Sequence, residues 1–359
     1  MQRANYARGL RFLPIVAFIT TVGLISAFTN QASAQNVYTD PVGFITLNAT
    51  GTYSFVGIAM TQVPVQRGVA GTVSVSADGS TVIPLSGLNA GSYNYNADGY
   101  PAYYIEDLGS NNVSSVGFSD DIASNDNNNV YTVNNDSAYI LTGDNVKIYP
   151  HQTLDSLFGT NNQAGVVAPG TGSTVADQVI VWNPAANGGE TYWYRTNKGW
   201  RGPAGNTVDA GMVPLYVDQG LEIFRQNTTT NCNFQVVGAV KLGPTQTYIP
   251  YFSNNGYGGY AFVAGLYATS LTFTNLNLYT GNLSTGVQSG TGASAADQIV
   301  VWNPVEGGGD TYWYRTNKGW RGPQGSTVDA GTNVIPMGSV FQIERINSQG
   351  FTWTLPAQY

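Results

Sequence analysis

Apolar and polar residues alternate over short stretches along most of the chain, and the three-to-four-residue spacing of an amphipathic helix is almost absent. Segments such as TVSVSAD, NVYTVNN, YWYR, TYIPYF and FTWTL are rich in β-branched and aromatic residues and are bounded by Gly, Asn, Asp or Pro. That combination predicts short strands joined by tight turns, an all-β fold. Two segments, DQVIVWNP and DQIVVWNP, are apolar on both faces and are expected in the middle of a sheet, each ended by an Asn-Pro turn. TNKG, between YWYR and WRGP, reads as a hairpin turn with Gly at a positive-φ position. Trp193 and Arg195 then share one face of the strand, and Tyr192 and Tyr194 the other. One helical turn is expected in HQTLDSLFG, capped by Thr153 and stopped at Gly159.

The pattern is duplicated. The block from Ala176 to Gly211 recurs from Ala296 to Gly331, an offset of 120, with 28 of its 36 positions unchanged. Self-similarity at a long fixed period is the mark of a repeated architectural unit. At the same offset Arg225 and Asn227 align with Arg345 and Asn347, which predicts a first unit over 35–230 and a second over 231–359. Each is expected to be a β-sandwich or barrel-like domain, in keeping with a length beyond that of one core. The first carries an insertion near 68–142, rich in Asn and Gly, that the second lacks.

Ahead of these units, Arg3, Arg8 and Arg11 precede an uncharged apolar run from Phe12 to Phe28 and then Ala32-Ser33-Ala34. Residues 1–34 are read as a signal peptide, with an uncleaved anchor as the alternative. Export to the periplasm, cell surface or extracellular space follows. No later segment reaches the ~18 consecutive apolar residues of a membrane-spanning helix, so none is expected in the mature chain. Removing the three leader arginines takes the formal charge from -7 to -10, in a chain of which only 10% is charged. Nucleic acid is excluded as a partner, since binding its phosphates needs clustered Lys and Arg. The single cysteine, Cys232, excludes an intramolecular disulfide and is read as a small buried hydrophobe or an intermolecular bridge.

The opening TDPVGFITLN, the VKIYPHQTLDSLFG segment and the DQ...VWNP...YWYR...GWRG block, in that order, resemble an uncharacterised family of exported, β-rich bacterial proteins of the verrucomicrobial type. The resemblance covers essentially the whole mature chain. It implies export and a β-rich fold, and carries over no activity, cofactor or catalytic residue.

Candidate chemistry is sparse. His151, the only histidine, has no nucleophile-elbow motif to serve and is expected at the surface or as a cap. Asp177, Glu190 and Asp209 recur as Asp297, Asp310 and Asp329, a repetition that suits a fold role better than an active site. Asp120, Asp121 and Asp126 offer hard oxygen ligands and make calcium the one cofactor to test, although the EF-hand spacing is missing and a solvated loop is the default. The repeated block supplies Trp193, Arg195, Asn197 and Trp200 with their copies Trp313, Arg315, Asn317 and Trp320. These residues suit core packing first, and sugar stacking with bivalent avidity second. The expected function is that of a non-enzymatic structural or adhesive protein of the cell surface or matrix. Polysaccharide or other surface components and self-association are the candidate partners. A bivalent carbohydrate-binding module is the alternative, and a glycoside-active enzyme a more distant one.

Overall fold

The doubly apolar strands Gln178–Asn183 and Gln298–Asn303 are the middle strands of two five-stranded antiparallel sheets. The computed structural model describes residues 40–49, 51–110, 113–183, 188–226, 232–251, 253–254, 257–258, 260–303 and 308–359. The expected signal peptide and the side chain of Cys232 lie outside the described residues. Antiparallel sheets dominate, with one short helix and one 3-10 turn among the described residues, and the fold is all-β. Among those residues no helix is long and apolar enough to cross a membrane.

The first sheet runs Gly199–Arg201, Gly188–Arg195, Gln178–Asn183, Gly220–Phe224, Tyr53–Gly57. The second runs Gly319–Arg321, Gly308–Arg315, Gln298–Asn303, Val340–Glu344, Tyr260–Ala264. Their registers coincide: Gln178 pairs with Trp193 and Trp193 with Arg201, as Gln298 pairs with Trp313 and Trp313 with Arg321. Each sheet is covered by a two-stranded ribbon. In the first, Val42–Ala49 pairs with Cys232–Ala239, setting Ile45 opposite Val236 and Leu47 opposite Phe234. These four side chains join Val179, Tyr192, Tyr194, Trp200 and Ile223 in one core. In the second, Thr245–Ile249 pairs with Phe351–Leu355, and Ile249, Phe351, Trp353 and Leu355 join Ile299, Tyr312, Trp320 and Phe341.

Strand Cys232–Ala239, just past the boundary expected at 230/231, completes the first ribbon and buries Phe234 and Val236 in the first core. The expected insertion contributes most of a seven-stranded sheet from Gln66–Val69 to Asn145–Pro150, with its own core of Ile83, Ile105, Ile122, Val130 and Ile148. After it, Thr153 caps helix Leu154–Phe158 in a reciprocal bond pair with Ser156, and Gly159, at φ 90°, ends it.

The two five-stranded sheets meet through a reciprocal aromatic contact. Phe55 lies 5.0 Å from Trp302 and Phe262 lies 5.4 Å from Trp182, with Phe55 and Phe262 stacked at 5.7 Å between them. Gly57 makes the approach feasible: its N–H donates to the Gly338 carbonyl at 2.7 Å, and a Cβ there would sit 2.5 Å from the Cβ of Ala264. Residues Asp40–Tyr359 form one unit.

Candidate functional site

A cavity of about 470 Å³ takes its wall from three regions. Adjacent strands of the inserted sheet supply Tyr104, Glu106, Asp120 and Asp121. The turn before Gly220–Phe224 brings Tyr216 and Asp218, and the connector after Cys232–Ala239 with the strand that follows brings Lys241 and Thr245 to Tyr248. His151 sits where the inserted sheet returns to the first unit, its N–H bonded to the Ala102 carbonyl at 3.0 Å.

The expectation of a surface or capping histidine is corrected here. His151 is buried, and its Nε2 lies 2.8 Å from Oδ1 of Asp121. The Tyr216 hydroxyl donates to the other oxygen, Oδ2, at 2.6 Å. With a carboxylate as its neighbour, Nε2 is the nitrogen that carries a proton. The imidazole is held between Tyr104, 4.9 Å away, and the edge of Tyr216, 5.0 Å away. No serine or threonine hydroxyl bonds to His151 among the described hydrogen bonds, so the group is a clamped His-Asp-Tyr chain without a paired nucleophile.

Burial dominates the electrostatics. It raises the phenols of Tyr104 and Tyr216, the latter further by the Asp121 carboxylate. It raises the carboxyl of Asp218 and lowers Lys241 to about 7. Behind Asp120, burial and then the Asp120 carboxylate itself push Asp136 up to about 7. Two aromatic rings stay open to solvent at the cavity, Tyr139 at 42% exposed and Tyr248 at 66%.

The acidic residues considered for calcium do not converge. Asp120 accepts from the Asn134 backbone and amide at 3.0 and 2.8 Å, and Asp121 is committed to His151 and Tyr216. Asp126 accepts from the N–H groups of Asn128 and Asn129 at 2.7 Å and from Tyr131 at 2.8 Å, bonds that hold its carboxyl at about 2. It organises its own turn. Among the described residues no group of three or more His, Cys, Asp or Glu is placed to hold a metal.

The repeated block is likewise placed differently from a sugar-stacking surface. Trp193, Trp200 and Trp320 are buried and Trp313 is half-buried. Trp200 packs on Phe158 and Tyr194 and donates to the Gly159 carbonyl at 3.2 Å, while Trp320 packs on Phe273 and Tyr314. Arg195 and Arg315 donate to the carbonyls of Asn206 and Ser326 at 2.9 and 2.7 Å. Asn197 and Asn317 are exposed because they are turn residues, at φ 55° and 57°. The buried tryptophans therefore present no ring face to a ligand, and the arginines serve neighbouring loops. Asn197 borders an open depression, shared with Asp155, Tyr194, Lys198 and Asp209.

Asp177 and Asp297 are buried anchors. Asp177 accepts from the N–H groups of Ala168 and Gln226 at 2.9 and 2.8 Å and lies 3.5 Å from Arg225. Asp297 accepts from Gln288 and Ile346, both at 2.8 Å, and lies 3.3 Å from Arg345. Comparison with protein-family models, with curated proteins and with solved structures returns no match.

Proposed function

We propose that this is an exported, non-enzymatic binding protein of the cell surface or matrix, adhering through a polyhydroxylated ligand such as a glycan unit held in the His151 cavity. One observation carries the reading: open aromatic rings and half-buried, hydrogen-bonding carboxylates converge on a single cavity of about 470 Å³. That volume falls within the ~300–1,000 Å³ range of small-molecule sites. The ring of Tyr248 and the face of Tyr139 not stacked on Phe118 offer apolar surface to a sugar, while Asp120 and Thr247 offer oxygen partners to its hydroxyls. The scarcity of basic residues leaves a neutral ligand favoured over an anionic one.

Glycan-array binding of the purified chain, with Tyr248→Ala as the comparison, tests this. Tyr248 is exposed, so its removal should leave the fold intact and lower affinity about tenfold or more, the order lost with an aromatic contact. Unchanged binding by the variant, or no binding by the parent chain to any glycan, would overturn the proposal.

A second reading has its own support. Asp218, a carboxyl raised by burial, lines the same cavity as Asp121, so two carboxyl groups border one space, as a glycosidase requires. Release of shortened products from a bound glycan, abolished by Asp218→Asn, would favour this reading over simple binding.

A further inference from the structure

One pair in the cavity wall is not used by the binding reading. Glu106, on strand Tyr103–Gly109 of the inserted sheet, meets Lys241, in the connector between Cys232–Ala239 and Thr245–Ile249. The carboxyl and the amine are in contact, with side chains exposed by only 3% and 6%. The other carboxylate that acts on Lys241, Asp40, is already bound by Arg67 and Lys147, and burial outweighs its pull.

We propose that Glu106 and Lys241 are joined by an intramolecular isopeptide bond between the lysine Nζ and the glutamate Cδ. Two ionised groups in this setting pay a desolvation cost that their attraction offsets only in part, and moving the proton from the ammonium to the carboxylate leaves an amine facing a carboxylic acid. The Nζ lone pair adds to Cδ. One carboxyl oxygen then departs as water, taking the acid proton and one proton from nitrogen. The products are a secondary amide and one water, with no change in oxidation state and no co-reactant.

In free solution the condensation is opposed by ionisation of both groups and by the entropy of bringing them together. Here burial suppresses the first and the fold has already met the second. The cavity beside the pair gives the released water a way out, and Asp218, whose carboxyl burial raises, lines the same cavity. The link would fasten the inserted sheet to the connector after Cys232–Ala239, in a chain whose single cysteine permits no internal disulfide.

Mass spectrometry of the purified chain, with its N-terminus read from the same digest, decides the matter on denatured protein. The expected intact mass is lower than the sequence mass by one water, about 18 Da. The digest should contain a branched peptide joining Glu106 to Lys241. Lys241→Met and Glu106→Leu, apolar replacements suited to the buried site, should each restore the full mass. Recovery of both parent peptides in linear form at full mass overturns the proposal. So does a deficit that persists in Lys241→Met, since the lost water would then belong elsewhere.

Discussion

The two copies of the repeated block are braced in nearly the same way, whereas the residues that line the cavity lie outside the repeat. Asp177 and Asp297 each gather two backbone N–H groups and an arginine, and Arg201 and Arg321 each bridge to a turn aspartate at 3.2 and 3.3 Å. Gly202 and Gly322 each lie so close to a tyrosine, Tyr192 or Tyr312, that a Cβ would approach within 2.6 Å. By contrast, His151, Asp121, Tyr216, Lys241 and Glu106 all lie outside the repeated block. Duplication multiplied a scaffold. The distinctive chemistry arose where an unrepeated sheet was set against it.

The sharpest way to break this comparison is to remove an anchor from each copy. Asp177→Ala and Asp297→Ala should each cost about 3–5 kcal/mol by chemical denaturation, because each leaves two N–H groups without their acceptor and takes a carboxylate from a buried arginine. A loss below about 1 kcal/mol in either copy would mean that the anchors are not equivalent.

A smaller effect should appear only in the inserted sheet. Asp136 keeps its proton up to about pH 7 in the folded chain, against an ordinary value of 3.8. Between those limits the folded form binds more protons than the unfolded one, so stability falls as pH rises from about 4 to 7. Asp136→Asn should remove that slope, a gain at pH 8 of about 1–2 kcal/mol after allowing for solvent screening. Denaturation curves at pH 5 and pH 8 that are no flatter in the variant would place the burden elsewhere.

The finest test separates the two copies themselves. Trp200 donates to the Gly159 carbonyl as well as packing on Phe158, so Trp200→Phe should lose about 1 kcal/mol beyond the cost of its lost volume, measured by urea denaturation. Retention of full stability by that variant would make the indole N–H irrelevant and the two copies more alike than their contacts imply.

Much of the scaffold was legible in residue order. DQVIVWNP and DQIVVWNP announced central strands by being apolar on both faces, and Thr153 with Gly159 marked the ends of a helix of only five residues. Sequence identity traces matched residues and gave no sign of the ladder between 42–49 and 232–239, which crosses the expected boundary at 230/231. His151 was misjudged for a related reason. Its carboxylate partner lies 30 positions away, and the tyrosine that holds the same carboxylate lies 95 positions from it. No local motif links them. The tryptophans of the repeated block were ambiguous in composition, and only burial assigned them to the interior.

The sequence by itself determined the strand periodicity, the turns at Asn197 and Asn317, the duplication and the sparse charge, because each depends on a few neighbouring residues or on a simple count. Only the tertiary structure decided which carboxylates face which cations and which aromatics remain open. Those outcomes depend on closing long loops around a shared core, where burial alters the charge a side chain can carry.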